Sequence, residues 1–293
     1  MVIGQQTVIK QLRQAVFIVL LTNICLLLAK TTSAYIIGPE LILEKMIQAM
    51  GWPSGYVVTQ KVSLDYSACE NTDDQATLFE ETAWLKIPGK FRSRILVNNI
   101  NREYVFDDND GALTIIDGQI ISTSENPLMV YKDLFIFRGR EPLAARLSAL
   151  GIDMTVVSLG RLGDTVAFVI GAQYPDETVS QLWVDKETFL PLRLILKRAA
   201  DDVAVEVRYL DWRHQYRFRH PRRIEIYQKG RISRVVCVRT VQDGCREPDS
   251  FFDVATLKRQ YPGIGTGSDS VPRPDEKPGG IQETIEDFKK LYQ

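Results

Sequence analysis

Along most of the chain apolar and polar residues alternate with a period of two, the pattern of strands that bury one face. In residues 56–66, Val58, Gln60, Val62, Leu64 and Tyr66 share a face. Residues 82–87 read as a second strand, Pro88-Gly89 as a tight reversal, and a third strand begins at Phe91. Proline fixes φ and lacks an N–H, while glycine tolerates positive φ, so the pair marks a turn. Further strands are predicted over residues 102–106, 113–122, 155–159, 165–173, 180–184, 189–197, 203–218, 223–228 and 232–241. Asp117-Gly118 makes residues 113–122 a hairpin, Gly160 and Gly163 separate two strands, and Lys229-Gly230 joins the last pair. Hairpins at this spacing, without strand–helix alternation, predict an antiparallel meander.

Two stretches of the body break the period. Residues 40–50 place Leu43, Met46, Ile47 and Met50 at i, i+3, i+4 and i+7, with Pro39 before them and Gly51 after, which predicts an amphipathic helix. Residues 126–151 are dense in apolar side chains: Leu128, Met129, Tyr131, Leu134, Phe135 and Phe137. Pro142 then opens a short helix with Leu143, Leu147 and Leu150 on one stripe, closed by Gly151. A mainly β (α+β) fold with one N-terminal helix and one helical insertion has a concave apolar face to bury.

The ends differ from the body. Lys10 and Arg13 precede an apolar run over residues 15–29, and Thr32-Ser33-Ala34 follows, so residues 1–34 read as a signal peptide with Tyr35 as the mature start. The run is short of the roughly 20 residues a bilayer span needs, and an uncleaved anchor is the alternative. Residues 35–262 form the folded domain, residues 263–280 a Gly/Pro/Ser/Asp-rich flexible linker, and residues 281–293 a C-terminal amphipathic helix carrying Ile281, Ile285, Phe288 and Tyr292. Export permits disulfides, and the odd set Cys69, Cys237 and Cys245 allows at most one internal bridge, Cys237–Cys245 or Cys69–Cys245. Without a C-x-x-C motif the bridge is structural rather than redox-active.

Charge and chemistry narrow the function. The net charge of −1 includes the three basic residues of the leader, and the export signal argues against nucleic acid as a partner. His214 and His220 are the two histidines; in one strand they would stand about 20 Å apart and could not share a metal. There is no G-x-S-x-G, H-E-x-x-H or P-loop. Gly263-Ile264-Gly265-Thr266-Gly267 leads into a Pro-rich linker instead of a helix, and Asp107-Asp108-Asn109-Asp110 reads as a turn rather than a calcium loop. No catalytic residue, metal ligand or cofactor is expected. Residues 212–220 alternate Trp212, His214, Tyr216, Phe218 and His220 against Arg213, Gln215, Arg217 and Arg219. That is a half-buried strand with a solvated basic face, or a docking surface for anionic headgroups or an acidic partner protein.

Several motifs carry a resemblance. Trp84, Lys86, Pro88 and Phe91-Arg92 resemble the early hairpin of the periplasmic lipoprotein-carrier family (LolA/LolB-like, including outer-membrane lipoprotein-sorting proteins). Trp183-Val184-Asp185-Lys186-Glu187-Thr188-Phe189-Leu190-Pro191-Leu192-Arg193 is similar to its Trp-x-Asp-basic-x-Thr-x-Leu-Pro-Leu hairpin. Asp249-Ser250-Phe251-Phe252 with Tyr261-Pro262-Gly263 is similar to its closing segment, and residues 126–151 sit where the family carries lid helices. The resemblance runs over residues 40–263.

It implies an incomplete antiparallel half-barrel whose concave face is covered by the N-terminal helix and the inserted lid. It implies a periplasmic, non-enzymatic, monomeric carrier that buries the acyl chains of a lipoprotein or another lipid ligand, with a possible inner- or outer-membrane protein partner. Each exposed methylene costs about 0.8 kcal/mol in water, so a carrier must offer apolar surface of its own. The expected lining is Trp84, Phe91, Leu128, Met129, Tyr131, Leu134, Phe135, Phe137, Leu143, Leu147, Trp183 and Phe189, although hairpin aromatics are core residues by default. One position departs from the family: the basic residue that latches the lid in the best-known carriers falls at Ile87 here, which fits either a lid held only by apolar contacts or a ligand other than a lipoprotein. The rival readings are an envelope adaptor or sensor contacting its partner through the C-terminal helix, and a lipid hydrolase.

Overall fold

Gly38 and Pro39 start the first helix, α1 (Pro39–Met50), where the fixed φ of proline suits the first turn. It ends at Gly51, whose φ of +87° carries the chain out and whose N–H is shared between the Ile47 and Gln48 carbonyls. Ile42, Leu43, Met46, Ile47 and Met50 are buried along it. The computed structural model describes residues 37–63, 79–97, 100–197 and 205–261. The leader, the polar turn near residues 70–75, the linker and the C-terminal amphipathic stretch lie outside them.

Among the described residues thirteen strands form one antiparallel sheet. They are β1 (Gly55–Ser63), β2 (Phe79–Lys86), β3 (Lys90–Val97), β4 (Ile100–Asp107), β5 (Gly111–Ile116) and β6 (Gln119–Ser122), then β7 (Val157–Leu162) and β8 (Thr165–Ile170). β9 (Gln181–Asp185), β10 (Pro191–Leu196), β11 (Val205–Gln215), β12 (Phe218–Gln228) and β13 (Arg231–Asp243) follow. Strands adjacent in sequence pair with each other except β6 and β7, and β1 also pairs with β13, for example Val62 opposite Val236. That closing pair leaves β6 and β7 as the two free edges, although they are consecutive in the chain. The segment between Ser122 and Val157 must therefore cross the open side of the sheet. It does so as a 3₁₀ turn (Pro127–Lys132), α2 (Asp133–Ile136) and α3 (Arg140–Ala149). Asn126 caps the 3₁₀ turn by accepting from the Leu128 N–H at 2.9 Å. The result is an open half-barrel with α1 and the insertion packed on its inner face, a single continuous core.

The outer face is covered more thinly. Val105, Leu113, Ile115 and Ile120 pack under α4 (Val254–Gln260), whose Asp253 cap accepts from the Thr256 N–H at 2.8 Å. Ala167, Val169, Ala172 and Trp183 form a second outer cluster. Among the described residues no helix is long and apolar enough to cross a membrane, and no group of three or more His, Cys, Asp and Glu is placed to hold a metal.

Several expectations are corrected. Residues 203–218 are not one strand: β11 ends at Gln215, and β12 returns from Phe218 through a turn with Tyr216 at φ +53°. The two histidines thus lie on paired strands, not six residues along one; His214 is exposed and His220 buried. Gly160 lies inside β7, not in a turn, because a Cβ there would come within 2.9 Å of the Trp183 indole and the Tyr174 ring. The helix expected to open at Pro142, α3, begins at Arg140, two residues earlier. Helix α4 has no counterpart in the periodicity. Neither proposed cysteine pairing holds: Cys245 is a free thiol and Cys237 is disulfide-bonded, its partner lying outside the described residues.

Candidate functional site

The inner face of the half-barrel and the underside of the insertion meet in one apolar interior. Leu128, Met129, Tyr131, Leu134, Phe135 and Phe137 are each no more than 3% exposed, and Leu143 and Leu147 of α3 are fully buried beside them. Phe91 joins them from β3, its ring 6.2 Å from Tyr104 and 6.5 Å from Tyr131. Phe189, in the β9–β10 turn, stacks on Phe168 at 5.8 Å and packs against the same core. The two tryptophans are placed elsewhere. Trp84 sits on the outer face, edge-on to Phe251 at 5.3 Å and beneath Arg94. Trp183 belongs to the outer cluster, its Nε1 donating to Gln181 at 2.9 Å. Period two explains the split: Leu182 and Val184 face inward, so Trp183 between them cannot.

Polar residues sit within this interior. On β13, Arg234 lies between inward-facing positions and is fully buried; its Nη2 donates to Glu81 Oε2 of β2 at 2.6 Å. Gln60 of β1 donates to the same carboxylate oxygen at 2.6 Å. Both basic and amide groups also reach the cover: Arg234 Nη1 to Met129 Sδ at 3.1 Å, and Gln60 Nε2 to the Tyr131 hydroxyl at 3.4 Å. The Tyr209 hydroxyl donates to the Tyr131 carbonyl at 3.4 Å. Burial raises the Tyr131 hydroxyl pKa, with the Glu81 charge adding to the rise, so the phenol stays protonated.

The insertion is held at further points. Gly89, in the β2–β3 turn, donates its N–H to the Ile136 carbonyl at the end of α2, 3.1 Å. This main-chain bond comes from the turn that also contains Ile87, so the cover is fixed by polar as well as apolar contacts. Lys86 turns outward instead, pairing with Asp249 at 2.5 Å and donating to the Glu247 carbonyl. Within the insertion Asp133 is fully buried and accepts from Lys132 Nζ and Arg146 Nε, both at 2.7 Å, while Arg146 also pairs with Glu125. Lys132 lies 3.8 Å over the Phe106 ring, and burial lowers its pKa against the pull of Asp133. Arg138, just past α2, donates to the Gly51 carbonyl at the end of α1, 2.6 Å.

The sequence reading picked out the apolar residues gathered here but not the buried charges among them. Glu81 alternates with Phe79, Ala83 and Leu85, and Arg234 with Val236 and Val238, so parity along each strand was the available signal. Chemically the interior offers apolar surface under a tethered cover, with no activated nucleophile among the described residues.

The chain matches no protein-family model and no curated protein. Its fold is similar to solved structures. A LolA superfamily protein from Nitrosomonas europaea is 14% identical and superposes with a TM-score of 0.52 over 74% of this chain and 98% of that one. A DUF1329 family protein from Desulfovibrio piger is 12% identical, with coverages of 75% and 98% and a TM-score of 0.48. A domain assigned as an outer membrane lipoprotein-sorting protein from Vibrio parahaemolyticus is 10% identical, with coverages of 75% and 98% and a TM-score of 0.49. At these identities the likeness concerns fold, and the first carries it: nearly the whole of that protein finds a counterpart here. The chain has the LolA-like fold, an open antiparallel half-barrel crossed on its open side by a helical cover.

Proposed function

We propose that this protein is a periplasmic, non-enzymatic carrier or binding protein for lipoprotein acyl chains or another lipidic ligand. It acts by reversible burial of those chains between the inner sheet face and the inserted cover. One observation carries the reading: the cover joins the two free sheet edges and lays Leu128, Met129, Leu134, Phe135, Phe137, Leu143 and Leu147 against the inner face. A cover of this kind can lift without breaking the sheet ladder, and methionine adapts to chains of varied shape. The tethers at Met129, Tyr131 and Ile136, with Arg138 on the Gly51 carbonyl, are single hydrogen bonds worth about 1–3 kcal/mol net each, a cost that the apolar area exchanged with a lipid chain can offset. Phe91 and Phe189 complete the proposed lining; Trp84 and Trp183 take structural roles on the outer face.

The test is mass spectrometry of organic extracts of the protein purified from its own envelope. Stoichiometric lipid or lipopeptide is expected. A protein that emerges clean under mild purification would overturn the carrier reading in favour of an envelope adaptor.

A further inference from the structure

Among the described residues several strongly buried cations are matched to carboxylates. Lys132 meets Asp133, Arg193 meets Glu206, Arg234 meets Glu81 and Arg92 meets Glu103. Arg138 is equally buried, 5% exposed, yet among the described residues no carboxylate pairs with it. Its Nη2 is satisfied by the Gly51 carbonyl at 2.6 Å, where the exposed end of the α1 dipole adds partial negative charge. Its Nε and Nη1 make no hydrogen bond. Burial disfavours the charge, and the Tyr56 hydroxyl, itself kept protonated by burial, brings no negative charge to balance it. A guanidinium cannot escape by losing its proton, so the remedy for such a site is an anion.

The neighbours suit a ligand that is apolar apart from that anion. Phe135 stacks on His220 at 4.9 Å, and Tyr56 meets His220 at 5.6 Å and Phe218 at 4.8 Å. His220 is itself neutral at physiological pH: burial and the Arg138 charge both oppose its protonation, and its Nδ1 is engaged with the Pro221 carbonyl at 2.8 Å. It therefore adds no competing charge. Arg138 directly follows Phe137 and precedes α3, so it lies between the two apolar halves of the cover, residues 128–137 and Leu143 with Leu147. Gly51, which accepts from Arg138, bridges to Phe218; Trp52 follows Gly51 and Tyr216-Arg217 precede Phe218, with Trp52 65% and Tyr216 82% exposed and Arg217 exposed between Tyr216 and Phe218. Exposed Trp and Tyr with a basic residue suit the headgroup layer of a membrane.

We propose that Arg138 receives the carboxylate or phosphate headgroup of an acidic amphiphile whose chain lies along the cover. This rests on the lipid-carrier reading above and makes the ligand anionic.

Calorimetric titration of the delipidated full chain with decanoate, decanol and inorganic phosphate tests it. Without a receiving cation the alcohol should bind better, because the carboxylate must leave water. We expect decanoate to bind on the order of ten- to a hundredfold more tightly than decanol. Arg138→Met should reverse that order while keeping decanol binding, and Arg138→Lys should retain a preference for the acid. If decanol binds as well as decanoate to the unmodified protein, the headgroup site is wrong and the carrier reading stands. If neither amphiphile binds, both fall. Phosphate binding as tightly as decanoate, and lost in Arg138→Met, would make this a free-anion site and overturn the amphiphile. Should Arg138→Met fail to fold, the acid-over-alcohol preference of the unmodified protein decides the matter.

Discussion

Arg234 of β13 and Glu81 of β2 face each other across β1, 2.6 Å apart, in a largely apolar interior, and neither is exposed to solvent. Two charges there lose hydration that their attraction only roughly replaces, so the pair is weak evidence for stability as such. Its geometric effect is stronger. Through Gln60, Met129 and Tyr131 it ties three strands of the sheet to the cover.

The pair should therefore be costly to halve and cheap to remove. Glu81→Leu alone takes from the fully buried Arg234 the carboxylate it donates to and should destabilise by about 3–5 kcal/mol. Arg234→Met alone should cost a similar amount. The double variant should recover most of the loss, giving strong coupling in a double-mutant cycle measured by urea unfolding. Additive losses would mean that the two charges do not act as a pair.

Gly160 and Trp183 offer a test on the opposite face. The indole occupies the space of a Gly160 side chain, at 2.9 Å from an ideal Cβ. Gly160→Ala should cost about 1–3 kcal/mol by overpacking, and adding Trp183→Phe should relieve part of it. Lipid binding should be unchanged in both variants, because the cluster of Ala167, Val169 and Trp183 is separate from the inner core. Thermal unfolding reads the first effect and ligand titration the second. A loss of lipid binding in Trp183→Phe would return this tryptophan to the lining.

These cases show how far the sequence could be read. The period of 3.6 gave Leu43, Met46, Ile47 and Met50 their common buried face, and the meander followed from turns such as Asp117-Gly118, both at positive φ. The β11–β12 hairpin was illegible because Tyr216 takes positive φ without turn chemistry and the alternation runs unbroken through it. Gly160 reads as punctuation when only its conformation is considered; its reason for being glycine is an indole more than twenty residues away. The apolar lining of the candidate site was legible in composition. Its buried charges were harder to read: Arg234 shows only in sharing the parity of Val236 and Val238, and nothing local tells Arg138 from the exposed Arg213 and Arg217.

His220 should give the stability of this protein a distinct dependence on pH. The ring is fully enclosed by Tyr56, Phe135 and the Arg138 guanidinium, and burial lowers its pKa from the ordinary 6.5 to about 4. The unfolded chain therefore takes up a proton first as pH falls. Stability from this residue is fully present above pH 6.5, drains away between 6.5 and about 4, and is level below that. The gap between the two values corresponds to about 3 kcal/mol. Carboxylates titrate in the lower part of the same window, so the comparison must be with a variant that lacks the group. His220→Phe keeps a planar ring against Phe135 and Tyr56 and gives up only the Nδ1 bond to the Pro221 carbonyl. Urea unfolding from pH 7.5 to 4 should show the unmodified protein losing stability faster than His220→Phe, with the difference opening near pH 6.5. Parallel curves would mean that the imidazole reaches solvent and titrates normally in the folded protein.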